Sequence, residues 1–230
     1  MLFKPLFYTV IFSLLLSFNA VAQKSEAAEN PISTTNKLIS PSYLKPGDLV
    51  AIVAPSGILK NRDREVNQAK ELLESWGLKV TIGQHVFSKD NHFAGTDQQR
   101  AEDFQKALDD PNVKAIWCAR GGYGTVRVLD LLDYTKFRQN PKWLIGYSDI
   151  TALHNDIHNL GVETIHALMC TSLTEDLTEI EQSVETFKCA IFGNDLGYTV
   201  AANPKNKPGK ATGQLVGAGS QPPVADALSL

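Results

Sequence analysis

From residue 49 onward the sequence alternates short, unbroken apolar runs with segments whose apolar residues recur at helical spacing, and this alternation admits few architectures. The first run, Leu49 to Ala54, enters from a turn at Pro46-Gly47-Asp48 and ends at Pro55-Ser56-Gly57. Lacking polar alternation, it reads as a strand covered on both faces, as in a parallel sheet. Val66, Ala69, Leu72, Leu73 and Trp76 then predict a helix, with Gly77 at its C-terminal cap. Leu78 to Ile82 reads as a second strand. Thr96 and Gln99 make a capping box for a helix through Ala101, Phe104, Ala107 and Leu108 that stops before Pro111. Val113 to Ala119 is a third strand, Tyr123 to Leu132 a short helix, and Trp143 to Tyr147 a fourth strand leading into a helix from Asp149 to Asn159 that ends at Gly161. Thr164 to Met169 supplies a fifth strand, and Leu177, Ile180, Val184, Phe187 and Ile191 mark a last helix. Strands and helices in this order need right-handed crossovers, which predicts an α/β fold with a doubly wound, mostly parallel sheet.

The residues before this series have a different character. Lys4 is the only charge in the first 22 residues, Tyr8 to Phe18 are almost wholly apolar, and Ala20-Val21-Ala22 offers a small-x-small cleavage site. This is the plan of a secretory signal peptide, with an apolar run shorter than the ~20 residues of a membrane span. Residues 1–22 are therefore expected to be removed, 23–40 to form a polar, flexible leader, 41–200 to form the α/β domain, and 201–230 to follow it as a linker and a short tail. The expected location is the periplasm or the exterior, with no stable membrane association after cleavage.

Composition excludes several classes. With 22 basic against 25 acidic residues there is no basic excess, so no nucleic-acid partner is expected. Cys118, Cys170 and Cys189 are too few and too scattered for a disulfide framework or a structural zinc site.

In a doubly wound sheet, ligands bind at the carboxyl ends of the strands. This points to Pro55-Ser56-Gly57, Arg120-Gly121-Gly122-Tyr123-Gly124 and Gly146-Tyr147-Ser148-Asp149. A serine on a sharp strand-to-helix turn presents its hydroxyl outward, and the N–H groups that open the helix lack acceptors and can stabilise an oxyanion. Gly146-Tyr147-Ser148 matches part of a hydrolase nucleophile elbow, although Ile150 stands where that motif has its second glycine. The competing reading is that Ser148 or Asp149 only caps the helix. Gly121, Gly122 and Gly124 let backbone N–H groups approach an anion, or make a tight turn. Their spacing fits neither a P-loop nor a dinucleotide fingerprint, and no cofactor or metal is expected.

In order and spacing, Lys45 to Asp48, Ala54 to Gly57, Gly95-Thr96-Asp97, Arg120-Gly121-Gly122-Tyr123-Gly124 and Ile145 to Leu153 closely resemble the LD-carboxypeptidase family of serine peptidases, over about residues 41–215. That family includes murein tetrapeptide carboxypeptidases and microcin C immunity peptidases. The resemblance implies Ser148 as nucleophile, backbone N–H groups of Gly122 and Asp149 as oxyanion hole, and Gly121 and Tyr123 at the substrate. It also implies release of the terminal D-alanine from a muropeptide stem, no cofactor, and a homodimer.

The family's remaining triad members, a Glu and a His, belong to a C-terminal domain. Here the chain follows the family pattern to Gly217 and departs from it at Ala218, so most of that domain is expected to be missing. The expectation is a serine LD-carboxypeptidase by descent that turns over little by itself. A periplasmic peptide-binding protein and a cytoplasmic immunity-type peptidase are the alternatives. His154 and His158 lie roughly 9 and 15 Å along the helix from Ser148 at 1.5 Å per residue, too far to act as bases, and are expected to face solvent. His166 ends a strand and either lines the cleft or, no less expected, has a structural role; His85 and His92 lie in a polar connection, and Cys118 and Cys170 are expected in strands as inert buried thiols.

Overall fold

The computed structural model describes residues 38–173 and 180–196, with Lys205, Lys207 and Gly209. All lie in one compact unit, Lys37–Leu230. The expected signal peptide, most of the leader, Leu177 and most of the tail fall outside the described residues.

Among the described residues five strands form one sheet: β1 (Leu49–Val53), β2 (Lys79–Ile82), β3 (Val113–Cys118), β4 (Trp143–Gly146) and β5 (Ile165–His166). The order is β2-β1-β3-β4-β5, and each pairing is parallel. Side chains alternate across the strands into two apolar layers. Val50, Ile52, Ala115, Trp117, Trp143 and Ile145 face one side, where α1 (Asp63–Ser75) and α5 (Glu181–Phe192) contribute Val66, Ala69, Leu73, Phe187 and Ile191. Ala51, Val53, Ile116, Cys118 and Leu144 face the other, against α2 (Asp97–Asp109), α3 (Thr135–Gln139) and α4 (Thr151–Asn159) through Phe104, Leu108, Phe137, Leu153 and Ile157. A continuously apolar strand is thus explained by helices on both faces, each fully buried Leu, Ile or Phe contributing about 1.5–3 kcal/mol.

Several local expectations change. Tyr123 to Leu132 is no continuous helix but two 3₁₀ turns, Thr125–Arg127 and Leu129–Leu131. Only Thr125 and Val128 in that stretch are buried beside Gly124, too sparse a stripe to hold a full α-helix against the sheet. α3 was not expected from the pattern, because its five residues bury one apolar side chain, Phe137. The fifth strand shrinks to a two-residue pairing, Ile145 with Ile165 and Gly146 with His166. Cys170 therefore sits not in a strand but in a 3₁₀ turn, Cys170–Ser172. It remains fully buried, as does Cys118, and burial pushes both thiols well above the ordinary range.

The ends of α2 are satisfied by side chains. At its start, the Thr96 hydroxyl accepts the Gln99 N–H at 3.2 Å and the Gln99 side chain accepts the Thr96 N–H at 3.0 Å. Thr96→Ala is expected to cost about 1 kcal/mol, read as a lower urea midpoint at unchanged slope; an unchanged midpoint would mean that the box contributes nothing. At its end, the buried Lys142 ammonium donates to the carbonyls of Ala107 (3.0 Å), Leu108 (2.9 Å) and Asp110 (2.6 Å). Burial lowers the Lys142 pKa to about 8.

Candidate active site

The strand order 2-1-3-4-5 has its switch point between β1 and β3, where the connections depart to opposite faces and leave a crevice at the carboxyl edge. The loops after β1, β3 and β4 meet there. Ser148 follows β4 by one residue after Tyr147 and has a φ of +63°, the left-handed region that a non-glycine residue seldom adopts. Its side chain is exposed, and the chain turns at once into the 3₁₀ turn Ser148–Ile150 and then α4. Gly146 makes this bend possible, since a Cβ there would stand 3.0–3.2 Å from the Ile150 side chain. Ile150 is fully buried against that glycine, which accounts for an apolar residue at the position of the hydrolase motif's second glycine.

Neither Ser148 nor Asp149 caps the helix: no side chain accepts a hydrogen bond from the first turn of either the 3₁₀ segment or α4. The Asp149 carboxylate points elsewhere. Its Oδ2 accepts the Ser56 hydroxyl at 2.5 Å and the Thr125 N–H at 2.9 Å.

The glycine loop lies directly against the serine. A Cβ on Gly121 would stand 3.1 Å from Ser148 Cβ, 3.3 Å from its Oγ and 3.4 Å from the Asp149 nitrogen. Gly122 has a φ of +123°, and a Cβ on it would come within 3.3 Å of Gly57 Cα. The Gly57 N–H donates to the Gly121 carbonyl at 3.1 Å, which ties the β1 loop to the β3 loop. Among the described residues, the N–H groups of Gly122 and Asp149 donate to no protein acceptor and remain available to an anion. The three loops singled out by sequence are thus brought together, with Gly121, Gly122, Ser148 and Asp149 in contact or within one residue of it.

Tyr123 is 56% exposed and stacks loosely on Phe93 and His92, with ring centroids 6.1 and 6.4 Å away. Arg100 and Arg127 lie over the Phe93 ring at 4.9 and 5.3 Å. Both cations pair with Asp97, and hydrogen bonds from Arg127 lead the interactions that hold its carboxyl below the ordinary range. The role of Asp97 in fastening this edge was not apparent from its place in Gly95-Thr96-Asp97.

The histidines sort differently from expectation in one respect. His154 is buried, not solvent-facing: its Nε2 lies 2.9 Å from the Gly146 carbonyl, and burial pushes its pKa down. Neutral His154 donates through Nε2 to that carbonyl, so it orients the strand beneath the elbow and does not reach Ser148. His158 is half-buried. His166 is exposed at the end of β5, its ring 6.1 Å from that of Tyr147, which places it beside the elbow. Among the described residues no side chain hydrogen-bonds the Ser148 hydroxyl, and no three His, Cys, Asp or Glu side chains gather in a way that could hold a metal ion.

Residues 50–167, from β1 through β5, match the LD-carboxypeptidase N-terminal domain. A Bacillus subtilis protein named "Probable murein peptide carboxypeptidase" is 34% identical over 182 residues, covering 77% of this chain and 56% of that protein. The murein tetrapeptide carboxypeptidase of Pseudomonas aeruginosa is 37% identical over 125 residues, 54% of this chain and 40% of the relative. Among solved structures, the microcin C7 self-immunity protein MccF in complex with aspartyl sulfamoyl adenosine superposes with a TM-score of 0.62 at 27% identity, covering 71% of this chain and 50% of that one. The chain spans about half the length of the curated relatives it matches, 59%, 47% and 56% of the first three. With the matched segment carrying the parallel sheet, the glycine loop and the serine turn together, this chain belongs to the LD-carboxypeptidase family.

Proposed function

We propose that this chain supplies the nucleophile and the oxyanion site of a serine LD-carboxypeptidase that releases the terminal D-alanine from murein tetrapeptide. The observation that carries the reading is Ser148 in the left-handed region, packed on Gly121, with the N–H groups of Gly122 and Asp149 unspent. In this reading the Ser148 hydroxyl attacks the carbonyl before the terminal residue, and its proton passes to a base. The carbonyl oxygen becomes an oxyanion held by the two N–H groups. The base comes from outside the described residues. The base passes that proton to the amide nitrogen as the C–N bond breaks, so D-alanine leaves and an acyl-serine remains; the base then takes a proton from water, whose oxygen attacks the ester, and returns it to Ser148 as the shortened peptide is released. Tyr123, exposed at the mouth of the glycine loop, contacts the peptide.

Export is part of the same proposal. Murein lies outside the cytoplasmic membrane, and cleavage after Ala22 would place the protein beside it. N-terminal sequencing of the protein recovered from cells should begin at Gln23; a protein retaining Met1 in the cytoplasm would remove this part. The reaction itself is tested by product analysis. With a base-bearing segment supplied, as set out in the Discussion, murein tetrapeptide should yield the tripeptide and free D-alanine. Cleavage at any other bond would replace the assignment with another peptidase specificity.

A further inference from the structure

The Asp149 side chain joins two loops that are distant in sequence. Oδ2 accepts from Ser56, which lies 93 residues earlier in the loop after β1, and from the N–H of Thr125, where the loop after β3 enters its 3₁₀ turn. Ser56 and Thr125 are both fully buried, so water does not compete for these bonds. A cation makes a second tie between the same two loops. Arg100, buried on α2, donates through Nη1 to the Pro55 carbonyl at 2.5 Å and to the Gly124 carbonyl at 2.9 Å, while its Nη2 pairs with Asp97. Just before the tied residues Gly124 and Thr125, on the same loop, lies the stretch Gly121-Gly122, whose N–H groups have no protein acceptor among the described residues. Three glycines in that loop leave its backbone with no rigidity of its own. Something outside it must fix where its N–H groups point, because a displacement of about 1 Å at an oxyanion site costs roughly 10²-fold in rate.

We infer that the Asp149 carboxylate, with Ser56 and Arg100, is a positioning device that fixes the glycine loop against Ser148, a role separate from that of the Asp149 backbone N–H. The inference rests on the proposed assignment of Ser148 as nucleophile and of that loop as oxyanion site. Asp149→Ala keeps the backbone N–H and removes the carboxylate. Ser56→Ala removes one partner and leaves Asp149 in place.

Amide hydrogen exchange on the full chain reads the effect without any need for turnover. Losing a bond to a charged acceptor should speed exchange at Thr125 roughly tenfold in Asp149→Ala, with a similar rise at Gly57, whose N–H holds the Gly121 carbonyl. Amides of β2 and α5, remote from these loops, should keep their rates. Ser56→Ala should raise Gly57 exchange by less, and adding it to Asp149→Ala should bring little more, because both act on one acceptor atom. Asp149→Asn, which retains an acceptor oxygen, should recover part of the protection. Where turnover is measured, Asp149→Ala should lower kcat and leave KM within about twofold, as removal of an interaction made only in the transition state does. Unchanged exchange at Gly57 and Thr125, or a uniform rise across the sheet, overturns the inference. If D-alanine release is absent even from the unaltered protein, the functional reading fails while the exchange pattern still decides this one.

Discussion

Assayed by itself, the 230-residue chain is expected to cleave murein tetrapeptide on the order of 10⁶-fold more slowly than a serine peptidase with its base in place. The chain has five histidines, and none donates to or accepts from the Ser148 hydroxyl: His154 is occupied by the Gly146 carbonyl, and His166 stands beside Tyr147. A serine without a proton acceptor is a weak nucleophile, and the oxyanion site alone retains only a residue of catalysis. Joining this chain to the part of the Bacillus subtilis relative that lies beyond the matched segment should restore most of that factor. Ser148→Ala in the joined protein should remove it again. Full activity of the chain alone would place the base within it and refute the argument. Activity of the joined protein that survives Ser148→Ala would remove Ser148 as nucleophile.

The second large effect is on stability. Lys142→Met should lower the free energy of unfolding by about 2–3 kcal/mol near pH 7, because three carbonyls at the end of α2 lose a charged donor and two or more stay buried without a partner. The pH dependence has a defined sign. The folded pKa of Lys142, about 8, lies below the unfolded value near 10.4, so between them the unfolded state binds more protons and this lysine's contribution grows with rising pH. The cost of burying its charge is felt below pH 8 and relieved toward pH 10.5, by at most about 3 kcal/mol. Cys118 and Cys170 act in the opposite direction above pH ~8.5, since their thiols ionise more readily once unfolded. Urea unfolding of both proteins across this range cancels the thiol contribution, and the gap between them should widen as pH rises. A gap that narrows would show that the carbonyls hold Lys142 charged in spite of burial.

The fold was largely legible because its determinants are local. Apolar runs such as Leu49–Ala54 and Val113–Ala119 can be read directly, and the capping box at Thr96 places the start of α2. Legibility failed where few residues carry an element: α3 rests on Phe137, and β5 on two pairings. At the site, Ser148 and the glycine loop were visible because a strand-to-helix turn and clustered glycines leave marks in a few adjacent letters. The bonds from Asp149 to Ser56 and from Arg100 to Pro55 join residues far apart in sequence, and no local pattern encodes them. His154 shows the same limit. Its spacing from His158 suggested an exposed pair, whereas the partner that allows its burial, the Gly146 carbonyl, becomes visible only when β4 and α4 are packed.

The two-residue β5 and the exposed Lys79 of β2 bear on association as well as on topology. Parallel sheets with long, bare outer strands recruit other strands through unpaired main-chain groups. Here one margin pairs over two residues, with Ile39 bonded to Gly161 and Glu163 in the segment just before it; the other alternates exposed Lys79 and Thr81 with half-buried Val80 and Ile82. Among the described residues the sheet thus ends in margins that offer an incoming strand little to pair with, while the loops at its carboxyl end hold free N–H groups and exposed rings. A molecule that recognises this domain is therefore expected to meet it end-on, through side chains and loop amides, and not by extending the sheet.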